Sequence, residues 1–174
     1  MELTRSAAMN NYTPRDDNWL QELLDNVWDQ HFADVPQIND VKIEFGRRAK
    51  RRLGSIRLDP TDKKTSIITM NGIFKLDAIP EFILKATLVH ELTHYAHGFN
   101  SPLNQQQKHP HAGGVMRKEF EDRGLLELYK DQKKWLKENW AEILLKEFND
   151  TNNRQYKVNS RMKVPKPFWF LGGK

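Results

Sequence analysis

Between Pro80 and Gly98 the chain carries a segment that is apolar on almost every side of a helix. Phe82, Ile83, Leu84, Ala86, Leu88, Val89, Leu92 and Ala96 leave hardly any polar face. Proline at the start and glycine just past the end are the expected punctuation, because proline presets φ and glycine accepts a left-handed cap. A helix of this kind belongs inside a core, covered by other elements on all sides. It also carries His90, Glu91 and His94. Imidazoles and a carboxylate in such surroundings need partners, since burying them unpaired costs free energy.

The run His90-Glu91-Leu92-Thr93-His94 points to a metal as that partner. Residues four apart on a helix lie about 40° apart around the axis, so the two imidazoles can face one cation. Glu91 then stands beside the cation as the candidate general base. Catalytic zinc takes three protein ligands and leaves a fourth position to water, whose pKa it lowers towards about 7. Five of the six histidines (His90, His94, His97, His109 and His111) fall between positions 90 and 111. That concentration favours a metal centre, with Zn2+ as the expected cofactor, over histidines satisfied singly in the core. His97 lies on the same helical face but at the helix end, where capping or support of a ligand is the expected role.

Composition narrows the rest. A chain of 174 residues with 38% hydrophobic content suits one domain with one core. It holds no run of 18 apolar residues, and MELTRSAAMNNYTPRDD lacks the pattern of a secretory leader, so no membrane contact and a cytoplasmic location are expected. With no cysteine, disulfides, thiol catalysis and cysteine-based zinc ribbons are excluded, and a metal must be held by histidine and carboxylate. The net charge is +5, and Arg47, Arg48, Lys50, Arg51 and Arg52 crowd five cations into six positions. These are candidate nucleic-acid contacts, because clustered guanidinium and ammonium groups neutralise phosphates. The alternative is a solvated basic turn.

Local patterns supply the elements. Residues 1–13 are polar and aperiodic, as in a frayed terminus. After Asp16-Asp17, the residues Trp19, Leu20, Leu23, Leu24, Val27 and Trp28 recur at helical spacing over about four turns. Val41 to Phe45, Leu53 to Leu58 and Ile67 to Met70 read as three strands, with Asp59-Pro60-Thr61-Asp62 turning between the second and third. Phe99 to Gly114 reads as a loop. A polar helix follows from Val115 to about Asp122, broken by Gly124, and Trp135, Leu136, Trp140, Ile143, Leu144 and Phe148 mark a last amphipathic helix. The predicted fold is α+β: one domain over 14–150, with a short three-stranded sheet packed against the motif helix and several further helices. The basic tail 151–174, with Phe168-Trp169-Phe170, is expected to pack on that domain; a partner-docking peptide is the alternative.

In this order, Arg52-Leu53-Gly54, the strand Ile67 to Asn71, Pro80-Glu81 and the run Ala86 to His94 resemble the SprT-like zinc metallopeptidases, which include the Spartan proteases. The likeness covers roughly Val41 to Gly124 and implies a zincin-like fold. It also implies a third zinc ligand in the loop after the motif helix, a histidine followed by glycine and a new helix. His111-Ala112-Gly113-Gly114 fits that description; His109 is the alternative ligand, and Glu119 a carboxylate alternative. Many members also carry a cysteine zinc ribbon tied to nucleic-acid contact, and this chain departs from them by having no cysteine.

The resemblance implies a zinc endopeptidase that cleaves protein or peptide substrates, including DNA-associated proteins, with Glu91 as general base. Likeness to zincins in general implies an extended substrate along an edge strand at Ile67 to Asn71. Tyr129, Tyr156 and Arg161 are the candidate oxyanion donors. The alternative is a nucleic-acid-binding protein with a structural zinc site or a latent protease.

Overall fold

The computed structural model describes residues 14–149; the expectations for residues 1–13 and for the tail 151–174, including Tyr156 and Arg161, lie outside the described residues. The fold is α+β. A helix α1 (Asp17–His31) leads to three strands, β1 (Val41–Phe45), β2 (Gly54–Leu58) and β3 (Ser66–Met70). They are followed by α2 (Glu81–Ala96), α3 (Val115–Asp122) and α4 (Leu126–Asn149), with single 3-10 turns at Gly72–Lys75 and Ala112–Gly114. No helix among the described residues is long and apolar enough to cross a membrane.

Each expected element is present, with one boundary far off. The helix α1 starts where Asp16 caps it by accepting the Trp19 N–H. Its buried face is Leu20, Leu23, Leu24, Val27 and Trp28. The last helix begins at Leu126 rather than near Trp135. Its first turns carry Glu127, Lys130, Lys133 and Lys134 among few apolar residues, so the hydrophobic period that marks the later turns is faint there.

The sheet order is β1-β3-β2, with β1 parallel and β2 antiparallel to β3. This corrects the expectation that Ile67 to Asn71 form an edge. β3 is the central strand, hydrogen-bonded on both sides, and the sheet edge next to the site belongs to β2. The near-continuous burial of Ser66, Ile67, Ile68 and Met70 is the mark of a central strand. Ile43 and Ile56 flank Ile68 in register, all three buried, and this face of the sheet meets the helices.

The helix α2 runs through the centre of the core. Thirteen of its residues are buried, from Ile83 and Leu84 through Ala86 to Ala96. It packs against β2 and β3 on one side and against α1, α3 and α4 on the others. Gln132 of α4 donates to Thr87 Oγ1 at 3.0 Å, and Thr87 Oγ1 donates to the Ile83 carbonyl at 2.8 Å, so the buried polar groups between the two helices are paired. At the C-terminus the Phe99 N–H reaches the His94 carbonyl and the Gly98 N–H reaches the Tyr95 carbonyl. With Gly98 at φ 79°, this is a Schellman cap, and it turns the chain sharply back over the helix end.

Candidate metal centre and catalytic cleft

Two turns of α2 and the loop before α3 bring three imidazoles together. His90 and His94, one helical turn apart, have ring centroids 4.7 Å apart, and the His111 ring lies 5.1 Å from His90 and 4.8 Å from His94. One nitrogen from each falls within 4.8 Å of the others, a spacing that lets three lone pairs converge on a single ion. His111 reaches the helix because the loop after it turns through left-handed glycines, Gly113 at φ 64° and Gly114 at φ 73°, before α3 begins at Val115. His109 is exposed and is not part of this group.

The electrostatics of the cluster suit a cation. Burial lowers the His90 pKa well below the usual imidazole range, and the neighbouring His94 and His111 lower it further. His94 is pushed down to about 3 by burial and then by His111 and His97, and burial also lowers His111. All three rings are therefore neutral at pH 7, the form in which imidazole donates to a metal. Glu91, 2% exposed, is pushed up to about 8 by burial, with Arg52 and a hydrogen bond from the Ile56 backbone pulling the other way. An added positive charge beside this carboxyl would bring it back to its ionised form at neutral pH. The donor set thus fits zinc: three neutral nitrogens, with a carboxylate whose ionisation gains from the ion.

His97 faces elsewhere. It is the C-cap residue of α2, and its Nε2 lies 2.9 Å from Glu119 Oε1. Glu119 also meets Arg123, which pairs with Asp34 at 2.8 Å. Glu119 is thereby engaged with His97 and Arg123 and does not join the three histidines. A cavity of about 770 Å³ lies beside this network, larger than the one at the histidines. It holds none of His90, Glu91, His94 or His111, and its Asp34, Glu119 and Arg123 pair with one another, so the cleft lined by Glu91, His94 and His111 is the candidate site.

That cleft, of about 470 Å³, is floored by Glu91, His94 and His111 and walled by Gly54, Ser55, Ile56 and Arg57 of β2. Arg51 and Arg52 before β2, and Phe99, Asn100 and Pro110 from the segment after α2, complete the lining. The Asn71 N–H bonds to the Leu53 carbonyl and the Asp59 N–H to the Thr65 carbonyl, so by alternation the main-chain groups of Gly54, Ile56 and Leu58 point to the outer edge. There Asn100 Nδ2 donates to the Ile56 carbonyl at 3.0 Å, which holds the loop after α2 against the strand.

The five cations of the basic run are exposed, but their side chains are not engaged alike. Arg48 pairs with Glu147 of α4, and Lys50 sits over the Phe148 ring at 4.8 Å while its carbonyl accepts from Trp140 Nε1. Arg47 is exposed, its carbonyl accepting from the Gly72 N–H. Only Arg51 and Arg52 reach the cleft. Tyr129 packs against Phe120 with centroids 5.1 Å apart and takes Lys133 over its ring; it does not line the cleft. Sequence reasoning passed over Arg57, Asn100 and Gly54 as lining residues. Arg57 was legible as a basic residue on an expected strand, whereas nothing in the sequence marks the folding back of Asn100.

These features define a zincin-like HExxH site, a triad of histidines able to hold a metal ion, in an α+β fold with a three-stranded sheet beside the motif helix. No protein-family model, curated protein or solved structure matches the chain, and its reading rests on the site.

Proposed function

We propose that the protein is a zinc-dependent metalloendopeptidase related to the SprT-like family. The observation that carries this reading is the convergence of His90, His94 and His111 within 4.8 Å, with His94 and His111 on the floor of a cleft that also holds Glu91. A site whose ion only stabilised the fold would be closed by a fourth protein ligand. Here three histidines converge, and two of them, His94 and His111, line an opening together with Glu91.

In this reading His90 and His94 from the helix and His111 from the loop hold the ion. Zinc supplies Lewis acidity, which polarises the scissile carbonyl and acidifies the attacking water. Glu91 takes a proton from that water as its oxygen bonds to the carbonyl carbon, and it delivers the proton to the amine nitrogen as the C–N bond breaks. The substrate is an extended segment of a protein or peptide lying in the cleft beside β2, meeting the outer-edge main-chain groups of Gly54 and Leu58, because those of Ile56 are engaged by Asn100 and Glu91. Arg52, close enough to Glu91 to draw its pKa down, helps to keep that carboxyl ionised.

The experiment is hydrolysis of an unfolded protein by the zinc-loaded chain, with and without a chelator, with and without duplex DNA. Cleavage that stops on chelation and returns with zinc supports the proposal. Failure to cleave under every condition, with zinc bound, contradicts it. A nucleic-acid-binding role is the weaker reading, because Arg48 and Lys50 turn towards α4 and break the basic run into separate pieces.

A further inference from the structure

We infer that the cleft selects substrates with acidic side chains flanking the bond to be cut, through Arg51, Arg52 and Arg57; this rests on the peptidase reading above. All three arginines are exposed and line the cleft, where Glu91 is the one acid among the described residues. Glu91 is buried and assigned to proton transfer, so it cannot neutralise them. No carboxylate among the described residues pairs with Arg51 or Arg52. Arg57 approaches Glu44 at 3.8 Å, and both side chains are about half exposed, 47% and 48%. That contact draws the guanidinium over β3 towards β1, and because a solvent-screened contact of this length holds it only weakly, Arg57 swings from it to serve the cleft.

The arrangement along the strand sets where the acids would lie. Arg51 and Arg52 precede β2 and Arg57 lies near its far end, so the charges stand at both ends of the cleft. From Arg51 to Arg57, an even number of positions apart, an extended chain spans roughly 20 Å, and side chains on one face of a paired strand repeat about every 6.7 Å. A peptide lying along β2 therefore brings residues on each side of its scissile bond near a guanidinium. Guanidinium groups bind carboxylates through paired, charge-assisted hydrogen bonds, which discriminate strongly against lysine and arginine. Phosphates would also be attracted, but the apolar Phe99 and Pro110 line the same cleft. The neighbouring cations Arg48 and Lys50 are turned towards α4. The cleft thus has the length and chemistry of a peptide groove rather than of a track for a nucleic-acid backbone.

The test uses two fluorescent peptides identical in their central apolar residues, one flanked by glutamates and one by lysines. Binding to the zinc-loaded full chain carrying Glu91→Gln is read by anisotropy, and hydrolysis is read with the parent chain. The acidic peptide should bind at least about tenfold more tightly and be cleaved with a correspondingly higher kcat/KM. Arg51→Glu with Arg57→Glu should reverse the preference towards the lysine peptide, a gain that misfolding cannot produce; Arg52 is kept because its charge acts on Glu91. Equal handling of both peptides by the parent chain, or no reversal in the double variant, overturns the selectivity while leaving the peptidase reading in place. Tight binding of the acidic peptide without any hydrolysis supports the selectivity and removes the peptidase reading instead. If a short DNA duplex binds more tightly than the acidic peptide and displaces it, the arginines serve nucleic acid and the inference fails.

Discussion

The α-carbon of Gly54 stands so close to Glu91 that a methyl group on it would lie 2.9 Å from the Glu91 carboxylate oxygen and 2.8 Å from Thr87 Cγ2. The first strand of the cleft wall and the motif helix therefore touch through a residue with no side chain. Gly54→Ala should push the Glu91 carboxyl off its position and overpack the strand against the helix, at a cost of about 1–3 kcal/mol. Denaturant midpoints and hydrolysis rates measured together check this. An unchanged midpoint with full activity would mean that the wall yields easily and does not position Glu91.

Asn71 fastens the loop that carries the arginines. Its Oδ1 accepts from the Ala49 and Ile73 N–H groups, and its Nδ2 donates to the Ala49 and Arg52 carbonyls, both at 2.7 Å. Asn71 is buried, so Asn71→Ala leaves main-chain groups without partners and should destabilise the fold by about 2–4 kcal/mol. Urea unfolding reads the loss. A change under about 0.5 kcal/mol, within the usual range for an unconstrained surface position, would show that the loop is held by other contacts.

The identity of the third ligand is open to elemental analysis of purified variants. His111→Ala should lose most of the bound zinc, whereas His109→Ala should retain it, because only His111 sits within reach of His90 and His94. Retention in the first and loss in the second would move the ligand to His109.

How much of this was legible in the sequence depends on the range of the interaction. The motif helix, its ends at Pro80 and Gly98, the three strand segments and α3 follow from period and punctuation, which act over a few residues. The pairing order does not. β1 and β3 are parallel and β2 lies on the other side of β3, so the strand expected at the edge became the centre. The apolar pair Ile67 and Ile68 side by side, breaking a strict in-out alternation, was the available clue. The basic run shows the same limit: five neighbouring cations share one composition but have separate fates, because Glu147 and Phe148, about a hundred positions away in the chain, claim Arg48 and Lys50. Arg57 joins the cleft only through the sheet.

Acid should expose the turn between β2 and β3. The Lys64 and Thr65 N–H groups and the Thr65 hydroxyl bond to the Asp62 carboxylate. The backbone bond from Thr65, then that from Lys64, lowers its pKa to about 2 from 3.8. A carboxylate whose pKa falls on folding stabilises the fold above the unfolded pKa, and that contribution is lost as pH drops through the folded one. The Tm of the parent chain should therefore exceed that of Asp62→Asn at pH 6, and the gap should close between about pH 4 and pH 2. A gap that is constant with pH would assign the difference to shape rather than to charge.

The most direct test of the central claim is the hydrolysis rate of Glu91→Gln on an unfolded protein substrate, compared with the parent chain at equal zinc content. Gln keeps the shape of the side chain and removes the base, so the rate should fall by roughly two to four orders of magnitude while zinc binding holds. A variant that cleaves as fast as the parent, in a reaction that chelation stops, would show that Glu91 is not the base and contradict the mechanism.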